Sequence, residues 1–288
     1  MGEPLVSIVL PVFNAEDTLA AAIRSIIRQS YSGWELIIID DGSTDRSLDI
    51  ARRFVDSRIR IVMDGRNLKL SRRLNQGIAL SRGKYIARMD ADDIAYPDRL
   101  ETQVAFLEKH PNIDLVGGRI IIFNETGNVV GTYPFRQKHA EICRQPWAGF
   151  YLPHPTWIGK AGWFKSNPYR DNALRMEDQD LLLRTYEKSR FACLPHMVIG
   201  YRQSGLSLKN ILLGRYNFSR ALLKMAVNRK CYNMILGVFV HTLKAIIDTF
   251  AIVTGLDYRV LQHRALSVSG AEIEKWERVW IDCNTGTY

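Results

Sequence analysis

Three aspartates lie within four residues in the segment YIARMDADDIAYPDRL, residues 85–100. The mostly apolar residues before them predict a short buried strand that ends at Asp90, Asp92 and Asp93. Carboxylates this close repel one another unless a cation or solvent separates them. Such oxygen ligands suit Mg²⁺ or Mn²⁺ when nucleotide phosphates complete the coordination shell, so a divalent metal is predicted here. The alternative is that Asp92 or Asp93 caps the helix that begins near Pro97.

Polar residues also follow other predicted strands. Apolar runs at residues 6–10, 36–39, 59–62 and 85–89 predict strands, and helical spacing at residues 19–27, 48–54 and 70–80 separates them. This alternation predicts a parallel sheet with right-handed crossovers and helices on both faces. Because ligands bind beyond the carboxyl ends of such strands, we expect one crevice lined by Phe13, Asn14, residues 40–44 and residues 90–93. Neither a dinucleotide fingerprint nor a P-loop is present, so metal and side chains must hold the phosphates.

The middle of the chain has a weaker pattern. Residues 115–118 and 120–123, a turn at 124–128 and residues 129–132 predict a hairpin region. Residues 147–169 are rich in Pro, Gly and aromatics without a clear period, and we interpret them as loops that shape an acceptor pocket. Four aromatic residues there could offer a stacking face to a ligand, or could pack inward: Trp147, Tyr151, Trp157 and Trp163.

Composition narrows the class of protein. The 288 residues are 47% hydrophobic with a formal net charge of +9, which predicts a full core and anionic partners. The four cysteines lack any C-x-x-C pairing, so a zinc site or disulfide framework is not expected. The N-terminal apolar run has no basic region before it, which favours a cytoplasmic protein.

Residues 207–288 differ in character from the rest. Basic residues alternate with apolar ones up to residue 230, and residues 235–253 are mostly apolar. His241, Lys244 and Asp248 interrupt that stretch, so we predict an amphipathic helix lying in an anionic membrane interface rather than a spanning helix. The alternative is a helical cap packed on the catalytic domain. Nucleic acid is disfavoured as a partner because the basic tail contains no recognisable reading motif.

Three blocks together resemble the inverting glycosyltransferases of family 2, which have the GT-A fold. They are VSIVLPVFNAEDTLAAAIRSIIRQSYSGWELIIIDDGSTD, LNQGIALSRGKYIARMDADDIAYPDRLETQ and MEDQDLLLRTYE, and they cover most of residues 6–186. The resemblance implies a GT-A catalytic domain at residues 1–206, with a nucleotide-sugar half at 1–110 and an acceptor half at 111–206. Residues 207–288 would form the basic, amphipathic helical region.

The resemblance also implies roles for single residues. Pro11, Phe13 and Asn14 match positions at the nucleotide, and Asp41 matches the carboxylate that accepts from the uracil ring, which favours UDP. Asp90 and Asp92 match the family's D-x-D acids at ribose and metal. Asp178 matches the acid of the family's E-D pair, the candidate general base, although acids such as Glu177 and Asp178 also suit a helix N-terminus.

Weaker candidates complete the predicted site. Lys69 stands where relatives commonly have glycine, and could reach the base or phosphate or be solvated. His154, Trp157 and Glu177 are candidates for contact with the acceptor or donor sugar. The stretch YRQSGLS has Ser204 where many relatives have histidine, which leaves Arg202 as a substitute phosphate ligand.

These assignments predict one function. We expect transfer of one hexose from a UDP-sugar to a lipid-linked or growing cell-surface glycan, with Mn²⁺ or Mg²⁺, at the inner face of the cell membrane. The resemblance is to the non-processive type, because the Q-x-x-R-W signature of processive synthases is absent. The alternative is a catalytically silent module that binds a nucleotide sugar.

Overall fold

One nine-stranded sheet organises the residues described by the computed structural model, which are 3–203, 207–256 and 265–285. The strands are β1 Val6–Val12, β2 Trp34–Asp40, β3 Ile59–Val62, β4 Tyr85–Arg88, β5 Ile94–Ala95, β6 Leu115–Phe123, β7 Val129–Gly131, β8 Ile158–Lys160 and β9 Phe191–Arg202. The helices are α1 Leu19–Ile27, α2 Ser47–Arg52, α3 Leu70–Leu80, α4 Arg99–Lys109, α5 His139–Ile142, α6 Ala161–Ser166, α7 Glu177–Thr185, α8 Leu208–Asn228, α9 Met234–Val253 and α10 Gly270–Asn284.

The first half of the sheet is parallel, as the sequence predicts. Its order is β3-β2-β1-β4, and each neighbouring pair runs parallel. Leu10 and Ile38 pack with Ile23 of α1 on one face, while Val9 packs with Leu74 of α3 on the other. Helices therefore cover both faces, which explains why these strands are continuous apolar runs.

The second half of the sheet is mixed, in the order β8-β6-β9-β5 after β4. The predicted hairpin is β6 paired antiparallel with β7, and β9 pairs parallel with β6. Residues 147–169 are not the loops that we expected, because they include a 3-10 helix at His154–Thr156, then β8 and α6. Strand β8 has three residues, IGK, and is held between β4 and β6 by pairings that no local pattern reveals.

The helices after residue 207 pack in two different places. Helices α8 and α9 form a hairpin whose Leu222 and Met234 join the core on the α3 side of the sheet. A Cβ on Gly237 would approach the backbone oxygen of Trp147 to 2.5 Å, so α9 also lies tightly against the catalytic domain. Helix α10 instead covers the β5 edge, where Trp276 is fully buried. The domain boundary at residue 206 remains a prediction, but α10 belongs to the core.

Candidate active site

The acidic cluster follows β4, as predicted, and it precedes the two-residue strand β5, which the sequence analysis did not predict. One carboxylate oxygen from each of Asp90, Asp92 and Asp93 lies within 4.8 Å of the others. Burial, followed by the charge of Asp90, raises the pKa of Asp92 to about 6. Burial and the charge of Asp92 also raise the pKa of Asp93, and among the described residues its Oδ2 has no hydrogen-bond partner. Asp93 is buried, and Asp90 and Asp92 are partly buried. Crowded carboxylates of this kind, with an unused oxygen, fit a divalent cation.

Arg88 is a cation within this cluster that the sequence analysis missed. Arg88 is only 5% exposed, and its guanidinium donates hydrogen bonds to both carboxylate oxygens of Asp90. The negative charge of Asp90 is therefore already balanced by an arginine. The negative charges of Asp92 and Asp93 are less well balanced. The signal in the sequence was a single arginine inside an otherwise apolar strand.

The helix-cap alternative for the aspartates is wrong. Helix α4 begins at Arg99 with Asp98 at its N-cap, and no side chain caps it. Neither Asp92 nor Asp93 serves the helix, so capping does not account for the acidic cluster.

Both carboxylate oxygens of Asp41 accept hydrogen bonds from the protein. Its Oδ1 accepts from the backbone N–H of Leu68 at 2.6 Å and from Nε of Arg73 at 2.8 Å, and its Oδ2 accepts from the N–H of Lys69. Arg73 is fully buried and also binds Asp64 at 2.6 Å. This network holds the loop after β2 against the start of α3. A carboxylate has about four acceptor positions, so Asp41 keeps acceptor capacity for a ligand.

Two residues of the loop after β1 have different roles. Phe13 is 51% exposed, so it offers an aromatic face beside the half-buried Pro11. Asn14 has a positive φ of 49°, and its Oδ1 accepts from the N–H of Thr44 at 2.8 Å. The amide oxygen of Asn14 thus joins the loops after β1 and β2, which makes Asn14 a positioning residue in this structure.

Lys69 has the backbone geometry of a glycine. It is exposed, lies immediately before α3 and has φ 73° and ψ 164°. Residues with a Cβ rarely adopt this region, which explains why glycine suits the position.

Asp178 and Asp90 line the same cleft, which has a volume of about 840 Å³. Asp178 lies in the first turn of α7, and its Oδ2 accepts a hydrogen bond from Nε2 of Gln179 at 3.0 Å. Glu177 lines the cleft too, and burial raises its pKa. The helix-terminus interpretation of these acids is compatible with a cleft position, because the first turn of α7 faces the cleft.

His154 lies in the cleft wall, where its ring contacts other side chains. Its Nε2 is 2.7 Å from the Tyr169 hydroxyl, and its ring meets the edge of Trp157. Burial, with a smaller effect of Arg88, lowers the pKa of His154 well below its usual value, so the ring is neutral at pH 7.

Two of the four aromatic candidates for a stacking face are buried, so the alternative of inward packing holds for them. Trp157 is 0% exposed and its indole N–H donates to the backbone oxygen of Leu152, so it packs inward. Trp163 is buried and donates to Ser189. Tyr151 is 48% exposed and lines the cleft, which makes it the better placed aromatic residue.

Arg202 supports the acidic cluster from its own strand, β9. Its Nε donates to the backbone oxygen of Asp92 at 3.0 Å, and its backbone N–H donates to Oδ1 of Asp93 at 3.0 Å. These bonds direct its guanidinium toward the loop rather than into the cleft. Ser204 lies outside the described residues.

Arg99 is a second arginine that the sequence analysis missed. It is 1% exposed, and its Nη2 donates to the backbone oxygens of Arg88 at 2.8 Å and Pro155 at 2.9 Å. Burial lowers its pKa to about 9. Arg99 thereby fastens the end of β4 to the 3-10 helix in the cleft wall. No local pattern in the sequence indicates these partners.

Comparisons with known proteins identify the family of the chain. The profile of the family described as Glycosyl transferase family 2 matches residues 7–167, more than half of the chain. EpsE of Bacillus subtilis, which is described as a glycosyltransferase, is 37% identical over 198 residues, covering 64% of this chain and 68% of EpsE. WfgD of Escherichia coli, a UDP-Glc:alpha-D-GlcNAc-diphosphoundecaprenol beta-1,3-glucosyltransferase, is 35% identical over 138 residues, covering 48% of this chain and 54% of WfgD.

A solved structure shares the fold. S. aureus TarS 1–349 in complex with UDP-GlcNAc superposes with a TM-score of 0.64 at 16% identity, covering 96% of this chain and 80% of that one. Together with the sheet order, this likeness confirms the predicted fold class, a GT-A type α/β fold with a C-terminal helical segment.

Proposed function

The chain belongs to glycosyl transferase family 2, and on that premise we propose that it is a metal-dependent, inverting hexosyltransferase that uses a UDP-sugar. The acceptor would be a hydroxyl of a lipid-linked or growing cell-surface glycan. One observation carries the proposal: the cleft holds an acid of the cluster after β4, Asp90, together with Asp178 from α7. A donor site and a base can therefore act on one bound pair of substrates.

The donor side would use residues from three strand ends. The exposed ring of Phe13 would pack on a pyrimidine, and Asp41 would accept from its N–H, which supports a uridine nucleotide. A divalent cation held by Asp92, with Asp90 or Asp93, would offset the negative charge of the diphosphate. The UDP-GlcNAc complex of TarS supports a UDP-sugar donor.

The transfer step needs one base and no nucleophilic side chain. Asp178 would accept the proton of the acceptor hydroxyl while the acceptor oxygen bonds to C1 of the sugar. The bond between C1 and the diphosphate oxygen breaks on the opposite face, and UDP leaves, so the anomeric configuration inverts. Positioned general bases contribute roughly a hundredfold to ten-thousandfold to rate.

The acceptor side would lie at the inner face of the cell membrane. Helix α9 turns its polar residues inward, since Asp248 is buried and paired with Arg215 of α8. The outer face of α9, as described here, carries exposed apolar side chains at helical spacing: Leu236, Phe239, Leu243, Ile246, Ile247, Phe250 and Val253. By length and composition α9 could also cross a membrane. We favour a helix lying in the interface, because α9 packs along α8 and against the catalytic domain.

A screen of nucleotide sugars tests the proposal. The full chain is incubated with each sugar, Mg²⁺ or Mn²⁺ and an extract of envelope lipids, and UDP release is measured with and without a chelator. Metal-dependent release with a UDP-sugar is expected. Metal-dependent binding of UDP without release under any condition would instead support the catalytically silent module.

A further inference from the structure

A second cavity joins the cleft beside the candidate base. It has a volume of about 560 Å³ and lies between the α8–α9 hairpin and residues 148–151. We name it the basic extension. Five residues line both the cleft and the basic extension: Phe150, Tyr151, Arg175, Gln179 and Lys244. Gln179 is also hydrogen-bonded to Asp178, so the basic extension begins next to the base.

The two cavities differ in charge. The cleft is lined by three acids, Asp90, Glu177 and Asp178, together with the basic residues Arg88, Arg175 and Lys244. The basic extension is lined by Arg175, Arg215 and Lys244, and none of the described residues that line it is acidic. Of the three, Arg215 is paired with the buried Asp248, so Arg175 and Lys244 are the better candidates for an anionic ligand. A molecule that spans both cavities would therefore carry its anionic part at the end away from the acids.

His241 is an independent sign that a polar ligand enters the basic extension. It lines this cavity from α9, its side chain is more than nine-tenths buried, and within the described residues its Nε2 has no hydrogen-bond partner. Buried polar atoms are normally satisfied, so an unused ring nitrogen at a cavity indicates a missing partner.

The basic extension also lies beside the apolar surface of the hairpin. Lys244 is adjacent in sequence to the exposed Leu243 and three residues before the exposed Ile247. Residues three apart on a helix are neighbours on its surface. An acceptor whose anionic part lies at Lys244 can therefore continue onto the outer face of α9 as a lipid chain.

We propose that the basic extension binds the phosphate groups of the acceptor, with Arg175 and Lys244 as their main contacts. The acceptor is then a sugar joined through phosphate to a lipid, and the reacting hydroxyl belongs to a sugar close to that phosphate. This inference rests on the proposed function. The reaction that supplies such a substrate attaches a sugar, through a phosphate or diphosphate, to a membrane lipid.

Calorimetric titration of the full chain, saturated with UDP and Mg²⁺ so that the donor site is filled, tests this inference. The probes are farnesyl diphosphate, inorganic pyrophosphate and farnesol. Arg175→Gln and Lys244→Gln should each weaken farnesyl diphosphate binding by about tenfold to a hundredfold, the usual effect of a lost charge-assisted hydrogen bond. The matched control is Lys224→Gln, which removes an equal charge from an exposed site on α8 outside the basic extension, and it should leave binding within about twofold.

The three probes separate phosphate from lipid. The proposal is supported if farnesyl diphosphate binds more strongly than pyrophosphate and farnesol do, and if the Arg175→Gln and Lys244→Gln substitutions weaken its binding. If pyrophosphate binds as strongly as farnesyl diphosphate, the lipid assignment is wrong. If farnesyl diphosphate binding is unchanged in both Arg175→Gln and Lys244→Gln, the phosphate site is wrong. UDP binding and UDP-sugar turnover are measured separately, so failure here is distinguishable from failure of the proposed function.

Discussion

Replacing Asp178 with asparagine should slow transfer strongly while leaving the donor site and the fold intact. Asparagine has the same shape and can still accept the hydrogen bond from Gln179, which is 3.0 Å long in the wild-type chain. It cannot accept a proton at neutral pH, so kcat should fall by a hundredfold to ten-thousandfold. That loss corresponds to about 3 to 5 kcal/mol of transition-state stabilisation.

Two neighbouring acids on α7 provide matched controls. Glu177→Gln tests the competing candidate, because Glu177 lines the same cleft and burial raises its pKa. Asp180→Asn changes an acid two residues later that pairs with Arg184 at 2.7 Å and lines a different cavity. We expect Asp180→Asn to lower the free energy of unfolding, because it breaks that buried pair, but to keep kcat within a few fold per folded molecule.

The assay combines UDP release under saturating substrates with UDP binding by calorimetry. Asp178→Asn should bind UDP with metal as the wild-type chain does. If Glu177→Gln loses kcat to the same extent while Asp178→Asn stays near normal, the base is Glu177 and the assignment of Asp178 is wrong. If both variants retain normal turnover, the base lies outside α7.

Five further predictions concern the metal site, the backbone, the core and the membrane surface, and two of them concern the metal site. Because burial raises the pKa of Asp92 to about 6 and metal binding needs the deprotonated carboxylate, Mn²⁺ affinity measured by calorimetry should be full above pH 7 and fall about tenfold per unit below pH 6. Asp92→Ala should abolish metal-dependent UDP binding, and unchanged UDP affinity would remove Asp92 from that role. Lys69→Gly should raise the free energy of unfolding in urea by about 1 kcal/mol, since it relieves the positive φ, whereas Lys69→Ala should not; equal stability of the two would contradict the strain. Arg99→Met should lower the free energy of unfolding by about 3 kcal/mol or more, because it leaves buried carbonyls unpaired, and a loss below 1 kcal/mol would exclude that role. The double change Phe239→Ser and Phe250→Ser should weaken flotation with anionic vesicles at least about tenfold, with Val55→Ser, an exposed residue away from the hairpin, as the control; undiminished flotation would locate the membrane contact elsewhere.

Local patterns determined much of the first half of the fold and the identity of the acids. Strands buried on both faces are continuous apolar runs, and α3 at 70–80 matches its predicted bounds. Ligand-bearing loops follow such strands, so the sequence also predicts that Phe13, Asp41 and Asp90 line one crevice. Of these three residues, Asp90 lines the cleft described above, and the shared crevice stays a prediction.

Tertiary structure alone decided which of these groups are available and which are already paired. Arg88 neutralises Asp90, Arg73 holds Asp41, and burial removes Trp157 from the cleft surface. The tertiary structure also places β8 within the sheet and brings the basic extension next to the cleft. These features depend on contacts between residues far apart in the chain. A side chain's burial and charge environment are set by such partners, whereas its own sequence neighbours fix only the local backbone preference.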